Sequence, residues 1–246
     1  MIKTAAIVLH RYSYSDSSWI VRVLTQSNGL LSFILKGGKQ EKSAFKGVLD
    51  PLSLCEIVYR DRPNAELLFV KEATLISWHS HVRENLESLA CALVMAEMVM
   101  KYAPAGIPLE NEFMLLREAL AQMDEANPSN TIFSKWLHAA CDLWGYQLDL
   151  ETCTTCGAPM TGPAADFHPE SGGVICHNCL GTKEPRARQS TLEDFWNLAK
   201  GNELCNKTGV ENALISYLRN HIGYLKELNS LSWLQEVRKL CYPQNK

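Results

Sequence analysis

The first third of the chain is a series of short apolar runs rich in β-branched residues, separated by turn signals. TAAIVLH (4–10), SWIVRVLTQ (18–26), LLSFILK (30–36), LSLCEIVY (52–59) and ELLFVKEATL (66–75) read as five strands. Ser27-Asn28-Gly29 joins the second and third, and an Asn-Gly step between such runs is the strongest short hairpin signal. DRPN (61–64) reads as a turn, and GGKQEKSAFKGVLDP (37–51) is one long, flexible connection. Five short strands in this length suit a small closed barrel such as an OB-fold, although a small sandwich or an SH3-like barrel fits the same pattern.

From Ser80 the period changes. Val82, Leu86, Leu89, Leu93, Ala96 and Met100 recur at spacings of three and four, which predicts one helix face. Pro104 and Pro108 end that helix, and a second follows over 110–123. Asn127-Pro128 reads as an N-cap with Pro at the first helical position, opening a third helix through Trp144, with Gly145 near its end. After a cysteine-rich interruption, Ser190-Thr191-Leu192-Glu193 resembles a capping box. Two further helices are expected at about 210–227 and 230–240. The predicted class is α+β and multi-domain, without internal repeats: a five-stranded barrel over 1–78, a helical domain over 79–150 and 183–246, and a cysteine module inserted at 151–182.

The interruption, CTTCGAPMTGPAADFHPESGGVICHNCL, holds two C-x-x-C pairs, Cys153/Cys156 and Cys176/Cys179, separated by 19 residues. That spacing is a zinc signature, because each short loop delivers two thiolates and two loops complete a tetrahedron. Gly157 sits where a tight knuckle favours positive φ, and Gly172-Gly173 can turn the chain back toward Cys176. Four sulfurs leave no open position for water, so the expected site is structural rather than hydrolytic. A redox pair lacks its usual βαβ context, and an iron–sulfur cluster is the other metal reading of four cysteines. His168 and His177 lie inside the module and could each replace a thiolate; with four thiolates at hand they are expected as surface or outer-shell groups. Cys55, Cys91, Cys141, Cys205 and Cys241 sit in apolar contexts and are expected as small buried hydrophobes.

Composition narrows the compartment. Hydrophobic content of 46% and charged content of 21% are ordinary for a globular protein. The most apolar stretch, LACALVMAEMVM (89–100), contains Glu97 and is too short for a bilayer span of about 20 residues. Glu97 itself is expected as a paired structural carboxylate. No secretory signal is legible, so the protein is expected in the cytoplasm with reduced thiols and no membrane partner. The net charge of −3 is uneven. Residues 1–75 hold ten Lys/Arg against seven Asp/Glu (+3), and the remainder fourteen against twenty (−6). A polyanion should therefore meet the N-terminal part.

The loop ILKGGKQEKSAFK (34–46) places Lys36, Lys39, Lys42 and Lys46 together with Glu41 as the one opposing charge. The phosphate-loop spacing G-x-x-x-x-G-K-[ST] is absent. One reading is phosphate contact along a single strand, aided by stacking on Phe33, Phe45 or Tyr14; the other is a solvated loop. Arg11 and Arg22 are the further candidate phosphate contacts. No catalytic constellation is legible, and no enzyme is expected.

Taken in order, IVLHRYSYSDSSWIVRVLTQSNGLLSFILKGG, LDPL at 49–52, CTTCG…F-x-P-x-S-G-G-V-I-C-x-x-C and the late HIGYLKELNSLSWL resemble the RecO family of bacterial recombination mediators over nearly the whole length. The resemblance implies an N-terminal OB-fold, a helical domain and a zinc-binding insert. It implies binding of single- and double-stranded DNA, annealing of complementary strands, engagement of single-stranded-DNA-binding protein, and cooperation with RecR to load RecA in the nucleoid. An RNA-binding OB-fold/zinc protein without annealing activity is the alternative.

Overall fold

In the computed structural model of the protein, residues 1–62, 65–125, 129–205, 207–222 and 228–242 are described. The turn expected at Pro63-Asn64, the cap expected at Asn127-Pro128 and the end of the helix expected to reach 227 lie outside them.

Five strands appear where the apolar runs predict them: β1 (Ile2–Ser13), β2 (Trp19–Thr25), β3 (Gly29–Leu35), β4 (Leu54–Tyr59) and β5 (Leu68–Ser77). They close into a barrel in the order β1-β2-β3-β5-β4, antiparallel throughout except for the β3–β5 pair. This is the five-stranded OB-type closure, and it distinguishes the barrel from the sandwich that the pattern left open. Ala6, Val8, Val21, Val23, Phe33, Leu35, Cys55, Ile57, Tyr59 and Leu68 fill the interior.

The connection after β3 is not slack. Its backbone folds into successive tight turns, with Gln40 N–H bonded to Gly37 O, Ser43 to Gln40, Lys46 to Ser43 and Leu49 to Phe45. It delivers Leu49, fully buried, into the barrel core.

The helices are α1 (Ser80–Glu84), α2 (Leu86–Tyr102), α3 (Glu110–Asp124), α4 (Ser129–Leu143), α5 (His177–Leu180), α6 (Gln189–Ala199), α7 (Lys207–His221) and α8 (Asn229–Cys241). A second sheet, of order β6-β8-β7, is built from β6 (Asp149–Cys153), β7 (Asp166–His168) and β8 (Gly173–Ile175). By contacts the chain forms two compact units, Met1–Asn127 with Leu228–Lys246, and Pro128–Glu227. In the first, α2 packs on β1, α1, α3 and α8; in the second, α7 packs on α4 and α6.

Three local expectations are corrected. The helix predicted from Ser80 is two helices, because Asn85 is extended (φ −100°, ψ 118°) and its side chain accepts the Ser88 N–H at 2.9 Å. The break resets the helical phase. Ala90, Cys91, Ala92, Val94 and Met95 are the fully buried positions of α2, while of the expected face Leu89, Leu93 and Met100 are half-buried and Leu86 is 44% exposed. The capping box at Ser190 is not the start of α6: Arg188 is the N-cap, Ser190 lies within the first turn, and Gln189 Nε2 donates to Glu193 across that turn. Cys55, Cys91 and Cys141 are buried as expected, but Cys205 and Cys241 are exposed, each lying at or beyond a helix terminus.

Candidate nucleic-acid interface and metal centre

The barrel sorts the six candidate phosphate contacts by strand alternation. Cross-strand partners share a face of a sheet. The β1–β2 register shifts between Val8 and His10, so Leu9 is an extra residue and Arg11, not His10, lies opposite inward-facing Val21. Arg11 therefore reaches the mouth of the barrel. There its guanidinium lies 4.5 Å from the Trp19 ring centroid and ion-pairs with Asp50. Lys39 comes to the same ring from the connection, with Nζ 4.9 Å from the centroid and donating to Ser13 Oγ at 2.6 Å. Arg11, Trp19, Leu35, Gly38, Lys39, Phe45 and Lys46, together with Leu49 and Asp50, wall a cleft of ≈500 Å³.

The remaining candidates lie elsewhere. Arg22 pairs with His10 and Ser32 on the outer wall, where its side chain donates to Ser32 Oγ at 2.8 Å. Lys36 follows Leu35 and sits 5.2 Å from the Phe69 ring. Lys42 is exposed on the connection. Of the expected stacking aromatics, Phe33 is fully buried in the barrel core and out of reach of any ligand; Phe45 is half-buried at the cleft, and Tyr14 is exposed in the β1–β2 turn.

Sequence reasoning missed Trp19, and it missed the group around Phe69: Arg60, Arg62 and Lys71. The signal was present. Alternation in LLFVKE sets Phe69 opposite to Leu68, and the preceding turn carries two arginines.

The cysteine module brings Cys153, Cys156, Cys176 and Cys179 together, with all four sulfurs within 4.8 Å of one another. A tetrahedron of thiolates about 2.3 Å from a zinc ion has edges of about 3.8 Å; the Cys156–Cys176 Sγ separation is 3.9 Å. The donor set thus fits a four-coordinate metal ion. Each pair forms a knuckle. Gly157 N–H returns to Cys153 O at 2.8 Å with φ 71°, and Leu180 N–H to Cys176 O at 3.0 Å. Burial works against ionising Cys153, but backbone N–H groups of Cys176, Cys156 and Thr155 outweigh it and hold the thiol down to about 6. Hydrogen bonding to Cys156 and Cys176 pushes Cys179 up to about 12, since neighbouring thiolates cannot all ionise without a cation between them.

The surrounding shell is ordered. Asp166, buried, accepts the backbone N–H of Arg186 and Ala187 and lies 3.2 Å from His168 Nε2. His177 is exposed. Gly172, at φ 65°, lies against Tyr217 of α7, where an added Cβ would sit 2.4 Å from the ring.

Family models of recombination protein O match the chain in two parts, the N-terminal model over residues 1–79 and the C-terminal model over 83–231. The chain is 26% identical over 251 residues to the DNA repair protein RecO of Anaeromyxobacter dehalogenans (strain 2CP-C), covering 97% of this chain and 98% of that protein. It is 27% identical over 249 residues to that of Syntrophobacter fumaroxidans, covering 96% and 97%. To that of Rhodopirellula baltica it is 32% identical over 178 residues, covering 71% and 65%.

Proposed function

The chain belongs to the RecO family of DNA repair proteins, and from that premise we propose that it is a non-enzymatic, DNA-binding mediator of recombinational repair. It binds single- and double-stranded DNA through the barrel at 1–78 and anneals complementary strands. With RecR, it helps load RecA onto DNA coated by single-stranded-DNA-binding protein in the cytoplasmic nucleoid. The observation that carries this reading is the cleft at the barrel mouth, where Lys39, Lys46 and Arg11 surround Trp19 and Phe45. Cations beside an aromatic ring suit a strand that presents a phosphate and a base at every step. The Arg11 charge is matched by Asp50, so its part is to orient Trp19, while Lys39 and Lys46 meet phosphates.

Annealing needs no covalent chemistry. Two backbones repel, and a cationic surface that displaces their counterions holds them in reach until bases pair. We assign the four-cysteine cluster of the 151–182 insert to a zinc ion, whose role when bound is to cross-link two knuckles. Cys153, Cys156, Cys176 and Cys179 hold it.

The test is annealing of complementary oligonucleotides with and without single-stranded-DNA-binding protein, alongside binding across a salt series. Acceleration of annealing on coated strands is expected. Equal affinity for RNA and single-stranded DNA without annealing would favour an RNA-binding protein. Absence of salt-dependent binding would remove the reading.

A further inference from the structure

Resting on the DNA-binding reading above, we propose that the barrel carries a second seat for a single strand, centred on Phe69, so that one chain holds two strands at once. Strand alternation fixes the geometry. Phe33 pairs with Leu68 and Ile34 with Phe69 across β3 and β5. Phe33 and Leu68 are inside the barrel, so Ile34 and Phe69 face outward from the same wall. Phe69 is 40% exposed. Lys36 Nζ lies 5.2 Å from its ring centroid and the Arg62 guanidinium 5.6 Å. Arg60, Arg62, Lys71, Val70 and Met1 line a cleft of ≈460 Å³ around the ring.

The register of β5 against β4 shifts at this point, between Val58 and Tyr59, leaving Lys71 as the extra, exposed residue beside the cleft. Four cations thus gather where the carboxylates adjacent in sequence are Asp61 and Glu72, the latter 3.4 Å from Lys71.

An exposed ring flanked by cations is a platform for one base and its neighbouring phosphates. A base that stacks on Phe69 exchanges a cation–ring contact for a base–ring contact and leaves Lys36 and Arg62 beside it for the backbone. An acidic peptide would satisfy the cations. A tail with several apolar side chains, however, would find here one aromatic ring and the exposed Met1 side chain, amid four cations. Single-stranded DNA is therefore the occupant the chemistry favours.

The seat is distinct from the barrel mouth. Leu35 lines the mouth, and Lys36, the next residue, turns to Phe69. The end of β3 stands between the two clusters. Strands occupying both seats would lie on opposite sides of it, each screened by its own lysines and arginines, and close enough for their free lengths to meet and pair.

The test uses the full chain, titrated well above the dissociation constant with non-complementary oligodeoxynucleotides of about eight nucleotides, some carrying a donor dye and others an acceptor. Two strands per chain, with energy transfer between them, are expected. Phe69→Ala combined with Arg62→Glu should leave one strand per chain, abolish the transfer and slow annealing at least about fivefold, the weakest loss expected from removing a stacking ring. The remaining strand should bind as before. Lys36→Glu with Arg60→Glu, which changes only charged groups of the same seat, should do the same, and an unchanged unfolding midpoint shows that either variant is folded. Lys39→Glu with Lys46→Glu should remove the other strand. One strand per wild-type chain, or two retained by both Phe69-seat variants, overturns the two-seat inference and leaves DNA binding standing. Failure of the wild-type chain to bind any DNA sinks the functional reading with it. Retention of both strands together with lost binding of a Glu-rich peptide ending in Phe would assign the seat to protein instead.

Discussion

Asn85 interrupts a helical pattern that otherwise runs unbroken from Ser80 to Tyr102, and its carboxamide accepts the Ser88 N–H at the start of α2. Asn85→Ala should lower stability by about 1 kcal/mol, and Asn85→Gly by only a few tenths; denaturant midpoints of the two variants give the comparison. His79 is a second case. It is buried at φ 52°, and its Nδ1 lies 2.8 Å from Leu52 O, a residue itself at φ 68°. Burial lowers its pKa below the usual 6.5, against the opposing pull of the Leu52 bond and of Asp124, with Arg83 lowering it further. The unfolded chain therefore takes up the proton first as pH falls. The stability contributed by neutral His79 is fully present above about 6.5 and is lost as pH drops from there toward the lower folded value. His10 and His138 are shifted in the same direction by burial and add to the effect. Thermal midpoints should fall on acidification through this window, and His79→Asn, which tolerates positive φ, should flatten the dependence. A midpoint independent of pH between about 7 and 5 would contradict the assignment.

Between elements, two carboxylates of α2 tie the two ends of α8, whose Leu231, Leu234 and Val237 are buried. Glu97 accepts the backbone N–H groups of Asn229 and Ser230 at 3.3 and 2.9 Å, and the Ser230 hydroxyl, while Lys101 Nζ lies 2.6 Å away. The carboxylate thus caps the positive end of the α8 dipole. Glu87 reaches the other end of α8, with Arg238 Nε at 2.9 Å and the Tyr242 hydroxyl at 3.1 Å. Burial works against the Glu97 charge, but the bonds from Lys101 and Ser230 outweigh it and hold its pKa below the ordinary carboxyl range. Its contribution is present above that range and lost as pH falls through the folded value. Glu97→Gln should cost about 1.5–3 kcal/mol and reduce amide protection first in the opening turn of α8; unchanged hydrogen exchange there would refute it. The cysteine module offers a harsher test. Structural zinc contributes about 10–16 kcal/mol of apparent binding energy in small peptides. Cys176→Ser should therefore release the ion and expose the amides of β6–β8 and α5, while the barrel keeps its protection. Elemental analysis that finds iron, or no metal, in the purified wild-type protein would overturn the zinc assignment.

Across the molecule, charge is the property that matters for a polyanion. The N-terminal 75 residues carry +3 within a chain of −3, and the barrel concentrates that surplus around Trp19 and around Phe69. If Lys39 and Lys46 meet phosphates, replacing both with Glu should flatten the log–log salt dependence of single-strand binding by about 0.7 per lost contact. It should weaken every sequence alike, and the exposed position of Lys46 should keep its stability cost within about 0.5 kcal/mol. Unchanged affinity and slope in the folded variant would mean that these lysines are solvated. The strand path would then lie along Phe69 or the outer wall at Arg22.

The chain by itself determined what depends on local period and spacing. Apolar β-branched runs with an Asn-Gly turn specify five strands, because each strand must bury one face and the turn sets their register. Two C-x-x-C pairs specify a thiolate cluster, because only paired knuckles can fill a tetrahedron from so short a segment. Tertiary structure decided everything that depends on which way a side chain is aimed. One extra residue at Leu9 turns Arg11 into the barrel mouth and leaves His10 outside. Alternation at the end of β3 sends Leu35 and Lys36 to different clusters, so four lysines adjacent in sequence do not form one surface. The parallel β3–β5 pairing, which joins segments more than thirty residues apart, sets Phe69 beside Lys36. Alternation within LLFVKE marks Phe69 as an outward ring, but a long-range pairing leaves no trace in either segment alone, and for that reason the meeting of Lys36 with that ring became visible only in the folded barrel.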